Sequence, residues 1–140
     1  PAFTMRTSLV FITITFWIEG AYFSEEKQVF QSPAEILGQP NSEVNLTFTH
    51  KIQNYDTILW YQRSKGDTSL KLIGYIYYRS TTVESPFQGN FRVSGDGETT
   101  AYLHILNLSL PEDGGEYFGA ARMYRGGYEA FFGAGTKLTV

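Results

Sequence analysis

The chain has no cysteine among its 140 residues. That removes a disulfide framework, a thiolate metal site and a cysteine nucleophile at once. Histidine is scarce too, with 2 residues, His50 and His104, far apart and in no motif with Ser or Asp. Neither a nucleophilic triad nor a zinc site is expected from them. Charged residues make up 18% of the chain, and a net charge of -3 leaves no basic footprint for nucleic acid. After Ser24 no stretch keeps a helical period. The longest apolar run, residues 9–18, is half the roughly twenty residues needed to span a bilayer. The sequence gives no reason to propose an enzyme or a bound cofactor.

Aromatic residues are what it has in abundance. They make up 16% of the chain, with 10 Tyr and 11 Phe, which favours strands and recognition surfaces. The apolar fraction of 42% suits a folded chain, and the length suits one domain with one core.

Met5-Arg6 followed by the apolar run 9–18 reads as a signal peptide, with cleavage between Gly20 and Ser24. A buried first strand is the alternative reading of the same run. Pro1 to Thr4 then read as translated upstream sequence or an expression remnant. The expected division is 1–23 as upstream residues plus signal peptide and 24–140 as the folded domain, placed in the secretory pathway.

From Lys27 onward short alternating runs are separated by turn residues. Val44, Leu46 and Phe48 alternate with Asn45, Thr47 and Thr49, then Ile58 and Trp60 continue the pattern. Residues 70–78 are rich in strand formers. Phe91 and Val93 lead to the turn Gly95-Asp96-Gly97, and Ala101, Leu103 and Ile105 alternate again. Residues 117–121 and 131–140 close the set. Many short strands at regular spacing predict an all-β sandwich or barrel.

The end of the chain is the most specific part. Asp113-Gly114-Gly115-Glu116-Tyr117 is followed by Phe132-Gly133-Ala134-Gly135-Thr136-Lys137-Leu138-Thr139-Val140, with Trp60-Tyr61 upstream. Together with Gln31-Ser32-Pro33 and Leu72-Ile73-Gly74-Tyr75, this order resembles a T-cell receptor beta chain variable domain joined to a J-type segment. A teleost source fits these details. The resemblance covers residues 29–140 and implies an immunoglobulin V-type sandwich of two antiparallel sheets in Greek-key order. It also implies an inter-sheet disulfide, and here the chain departs from the pattern: Phe48 and Gly119 stand at the two cysteine positions. A natural replacement, an engineered one, a sequence error and a nonfunctional rearrangement are all compatible with that. A large and an absent side chain facing each other would roughly conserve volume, with Phe48 filling the space at Gly119 and packing on Trp60. Leu103 and Tyr117 join this core. The Tyr117 hydroxyl is expected to return to the backbone near Asp113, as a tyrosine corner. Gly133 and Gly135 are expected to permit a β-bulge that turns Phe132 toward a partner.

The resemblance carries the functional expectations. Antigen-binding loops map to residues 50–56, 77–82 and 120–131. The candidate contacts are His50, Lys51, Asn54, Tyr55 and Asp56, then Tyr77, Tyr78 and Arg79, then Arg122, Met123, Tyr124, Arg125 and Tyr128. The last group surrounds Gly126-Gly127 and mixes rigid aromatic area with flexible backbone, as a V–D–J junction would. Tyr61, Arg63, Leu70 and Phe132 match the face that meets an alpha-type chain, although Arg63 stands where the family often has Gln, with Gln62 before it. The expected partners are that alpha-type chain, a peptide–MHC ligand, and a signalling complex reached through regions beyond Val140, at the plasma membrane. An innate-type or adhesion receptor domain and an immunoglobulin light-chain variable domain are the alternatives. Asn45-Leu46-Thr47 and Asn107-Leu108-Ser109 are N-glycosylation sequons whose Asn residues alternate outward.

Overall fold

The computed structural model describes residues 28–109, 112–126 and 129–140. The proposed signal peptide lies outside them. Among the described residues eleven strands form two sheets. The first sheet orders β1 (Val29–Ser32), β3 (Val44–His50), β8 (Thr100–Ile105) and β7 (Phe91–Gly95). The second orders β2 (Glu35–Leu37), β11 (Thr136–Thr139), β9 (Gly115–Arg122), β4 (Thr57–Ser64), β5 (Lys71–Tyr77) and β6 (Ser80–Val83), with the short β10 (Phe131–Phe132) also on β9. The expected all-β sandwich is what forms. One detail differs from two purely antiparallel sheets: β2 runs parallel to β11, pairing Ile36 with Leu138. Pro33 interrupts the first strand, having no N–H to give a ladder. The chain therefore leaves β3 at Ser32 and rejoins the other sheet at Glu35.

Alternation decides which side chains meet. On β3, Leu46 and Phe48 point inward between the more exposed Asn45, Thr47 and Thr49. They pair across to Leu103 and Ala101 of β8, also fully buried. From the facing sheet Ile58, Trp60, Ile73, Ile76 and Tyr117 complete the core. Phe48 meets Trp60 edge-on, with ring centroids 6.2 Å apart. A Cβ built at Gly119 would lie 2.5 Å from Cδ2 of Phe48, so the ring already occupies that space. The expected filling of the space at Gly119 by the Phe48 ring, packed on Trp60, is what forms. The Trp60 indole N–H, fully buried, finds no acceptor among the described residues.

Below this plug the Tyr117 hydroxyl donates to Asp113 O at 2.6 Å and accepts from Gln62 Nε2 at 3.0 Å, forming the tyrosine corner. Burial raises the phenol well above its usual range. Asp113, itself buried, accepts from Asn90 Nδ2 (3.1 Å) and from the Ser109 N–H (2.9 Å), holding the turn that precedes β9.

The bulge forms as well. Phe132 pairs with Ala120, yet Thr136 pairs with Tyr117, so the last strand carries one extra residue across Gly133-Ala134-Gly135. Gly135 adopts φ +95°, where a side chain would be strained and would strike Phe118. The slip leaves part of the β9 backbone without a strand partner. Gln31 supplies it: its Nε2 donates to Tyr117 O (2.8 Å) and its Oε1 accepts the Gly119 N–H (3.0 Å). A side-chain amide on the other sheet therefore completes the ladder at the bulge.

Candidate recognition site

Register places three connections at one end of the sandwich. Thr57, the first residue of β4, pairs with Arg122 at the end of β9 and with Tyr77 at the end of β5. The loops 51–56, 78–79 and 123–130 therefore leave from adjoining strand ends. Each is shorter than the sequence reading drew it. His50 belongs to β3, Ser80 to Thr82 to β6, and Ala120 to Arg122 to β9, because each continues a paired ladder.

His50 is the clearest correction among the loop candidates. It is 2% exposed, its Nδ1 accepts the Ile52 N–H (3.2 Å), and its Nε2 donates to Gly97 O (2.8 Å). Those two bonds consume both ring nitrogens. The imidazole props the first loop from beneath and has nothing left for a ligand. Lys51 and Asn54 are exposed, the latter at φ +71°. Tyr55 is half-buried, packs on Phe131 (5.8 Å) and donates its hydroxyl to Glu129 O (2.8 Å).

The third loop folds back over the end of β5. The Tyr124 ring lies 4.5 Å from Tyr77 and 6.4 Å from Tyr75, and Tyr77 meets Tyr78 at 4.8 Å. Tyr124 remains 48% exposed and Tyr78 45%, so this cluster is both anchored and accessible. Arg125 is exposed. Arg122 is turned back to the loop, its Nε donating to Met123 O at 3.1 Å, and Met123 is half-buried. Arg79 reaches Asp96 at 3.5 Å from a side chain 88% exposed, a pair of little energetic weight. Tyr128 lies outside the described residues. The surface has the composition of a protein-binding patch, with aromatic anchors beside cations.

A second apolar surface covers the outer face of the larger sheet. Strand alternation turns Trp60 and Gln62 inward, and Tyr61 and Arg63 outward. The Tyr61 ring lies 5.7 Å from Phe132, which is 43% exposed, and Leu70 is 41% exposed. Burial raises the Tyr61 phenol above its usual range, with Arg122 opposing the shift. Gln62 cannot serve a partner, since it is buried and its Nε2 bonds Glu112 O and the Tyr117 hydroxyl. Arg63 instead pairs with Glu116, its cross-strand neighbour, and its guanidinium sits 5.2 Å from the Phe118 ring centre. Phe118 was missed in the sequence. Its neighbours Tyr117 and Gly119 carried the motif, while its outward direction follows only once β9 is in register.

The sequon residues Asn45 and Asn107 are both exposed. Asn45 Oδ1 is held by His104 Nδ1 at 2.5 Å, and His104 Nε2 reaches Ser94 Oγ at 2.8 Å. Burial and the nearby Arg92 lower the His104 pKa, with Glu43 opposing them. Asn107 takes φ +53° in the bend after β8.

Two packed sheets, an inward Trp on β4 and a tyrosine corner on β9 define a variable-type immunoglobulin sandwich. The profile of the Immunoglobulin V-set domain matches residues 31–140, and the chain belongs to that family. Domains of this family are typically extracellular and receptor-type. No curated protein matches the sequence significantly. Among solved structures, a chain from work described as "Structural basis of T cell specificity and activation by the bacterial superantigen toxic shock syndrome toxin-1" is similar. It superposes with a TM-score of 0.68 at 26% identity, covering 80% of this chain and 97% of that one.

Proposed function

We propose that this V-set domain is the variable domain of an antigen receptor of T-cell receptor beta type. It pairs with an alpha-type variable domain through Tyr61, Leu70, Phe118 and Phe132, and recognises peptide–MHC with the loops that adjoin at the start of β4. The observation that carries the reading is the third loop. A Tyr- and Arg-bearing segment is seated on Tyr75 and Tyr77 yet leaves the Tyr124 ring 48% exposed. Aromatic and Arg side chains near the middle of a surface are where binding energy concentrates. The likeness to a chain from a T-cell specificity structure supports the same reading. On this reading the run 9–18 is a signal peptide, the domain faces the cell exterior, and Asn45 and Asn107 are open to glycans.

Sequencing many transcripts from one animal tests it. Variation concentrated in residues 122–128, with Phe132-Gly133-Ala134-Gly135 fixed, is the expected result. Transcripts identical across 122–128 would overturn the antigen-receptor reading in favour of an adhesion or innate-type receptor. A J segment joined upstream of a light-chain constant region would redirect it to immunoglobulin.

A further inference from the structure

Asp56 is fastened to the other two loops and to the strand that follows it. Its backbone N–H donates to Arg122 O (3.3 Å), where the third loop leaves β9. Its carbonyl accepts the Tyr78 N–H (2.9 Å), the first residue of the second loop. Its carboxylate Oδ1 accepts the Tyr124 N–H (2.8 Å) in the third loop and the hydroxyl of Thr57 (2.8 Å). The turn between β7 and β8 closes this knot from below. Gly97 donates to Tyr78 O (2.6 Å) and accepts from His50, and a side chain at 97 would collide with the carbonyls of Asp56 and Ile76.

The sequence pattern places Asp56 among the ligand contacts. The hydrogen bonds give it a different role. We propose that Asp56 is a positioning residue, whose carboxylate fixes the backbone of the third loop over the first two. This deepens the proposed function and rests on it only for the meaning of the loops, not for the contact. A hydrogen bond to an ionised oxygen is shorter and stronger than a neutral one. Holding the Tyr124 N–H settles where its ring lies on Tyr77 and Tyr75. A loop ordered before binding loses less entropy when a ligand arrives, so the carboxylate acts on affinity without touching ligand. Ring stacking alone is the competing account, and it requires nothing of residue 56.

Amide hydrogen exchange on the free domain separates the two. In the native chain the Tyr124 amide should exchange at least about tenfold more slowly than in an unstructured peptide, the protection expected of a charge-assisted bond. Asp56→Ala should abolish that protection. Asp56→Asn, which keeps an oxygen acceptor but loses the charge, should exchange at a rate between the native and the Asp56→Ala values. Unchanged exchange in Asp56→Ala would overturn the proposal. Should that variant fail to fold, the native chain decides, since an unprotected Tyr124 amide is equally fatal. No ligand enters these measurements. A failed antigen-receptor reading would leave a protected, Asp56-dependent Tyr124 amide in place, and a failed positioning role would leave transcript variation at 122–128 untouched.

Discussion

Phe48 on β3 and Gly119 on β9 form one unit across the two sheets, the ring of the first filling the space a side chain on the second would need. A cysteine pair holds sheets together by constraining the unfolded chain, whereas this pair does so by burying an aromatic ring against Trp60. The two residues should therefore be energetically coupled. Gly119→Ala should cost about 1–3 kcal/mol in the native background through overpacking. In a Phe48→Leu background the same change should cost at least about 1 kcal/mol less, as expected for residues in contact. Phe48→Cys/Gly119→Cys should oxidise to a bridge and unfold at a higher temperature than the parent. Additive losses in the first cycle, or no gain from the bridge, would contradict the packing account.

Tyr117→Phe should lower stability by about 1–3 kcal/mol, because Gln62 loses a buried acceptor and Asp113 O a donor. A pH signature accompanies it. The folded-state pKa of Tyr117 is raised, so the unfolded chain gives up this proton first. The contribution is fully present below about pH 10, the ordinary tyrosine value, and is lost as pH rises above it. Denaturant unfolding at pH 8 and pH 11 should show an alkaline loss in the parent that is smaller in Tyr117→Phe.

Phe132→Asp should leave the monomer folded, since the ring is 43% exposed and lies outside the core. It should abolish association with an alpha-type variable domain by placing a desolvated charge in an apolar contact. Gel filtration of the mixed chains is sufficient, and an undiminished heterodimer peak would remove this face from the assembly.

Gln31→Ala should destabilise more than a half-exposed strand residue ordinarily does. It strips Tyr117 O and the Gly119 N–H of their partner at the bulge. A loss of about 1–3 kcal/mol in thermal or urea unfolding is expected, whereas Thr49→Ala on the neighbouring strand should stay within about 1 kcal/mol, its one hydroxyl bond to Thr100 being partly solvated.

Periodicity made the core legible. Leu46, Phe48, Trp60 and Leu103 all lie inward, because alternation and a buried face are local properties of a strand, whereas the inward Tyr117 was indicated by the family resemblance. The bulge at Gly133 to Gly135 was legible for a similar reason, as glycine marks a backbone need. What alternation could not reveal were contacts between residues distant in sequence. Gln31 reaches a strand 88 residues away, and Asp56 reaches Tyr124 across 68. His50 and Asp56 sit at loop positions that look solvent-facing, yet the turn at Gly97 and the third loop close over their polar atoms. The parallel pairing of β2 escaped for the same reason: three residues after a proline carry too little pattern to announce which sheet they join.

The central claim, recognition through the third loop, is most directly tested by surface plasmon resonance on the paired heterodimer. The analyte is a peptide–MHC complex selected with that heterodimer from a display library. Tyr124→Ala and Arg125→Ala should each weaken binding by roughly 1–2 kcal/mol or more, as anchors at an interface centre do. Thr47→Ala, on β3 of the opposite sheet, should leave affinity unchanged. Binding that survives both loop changes and falls with Thr47→Ala would contradict the account.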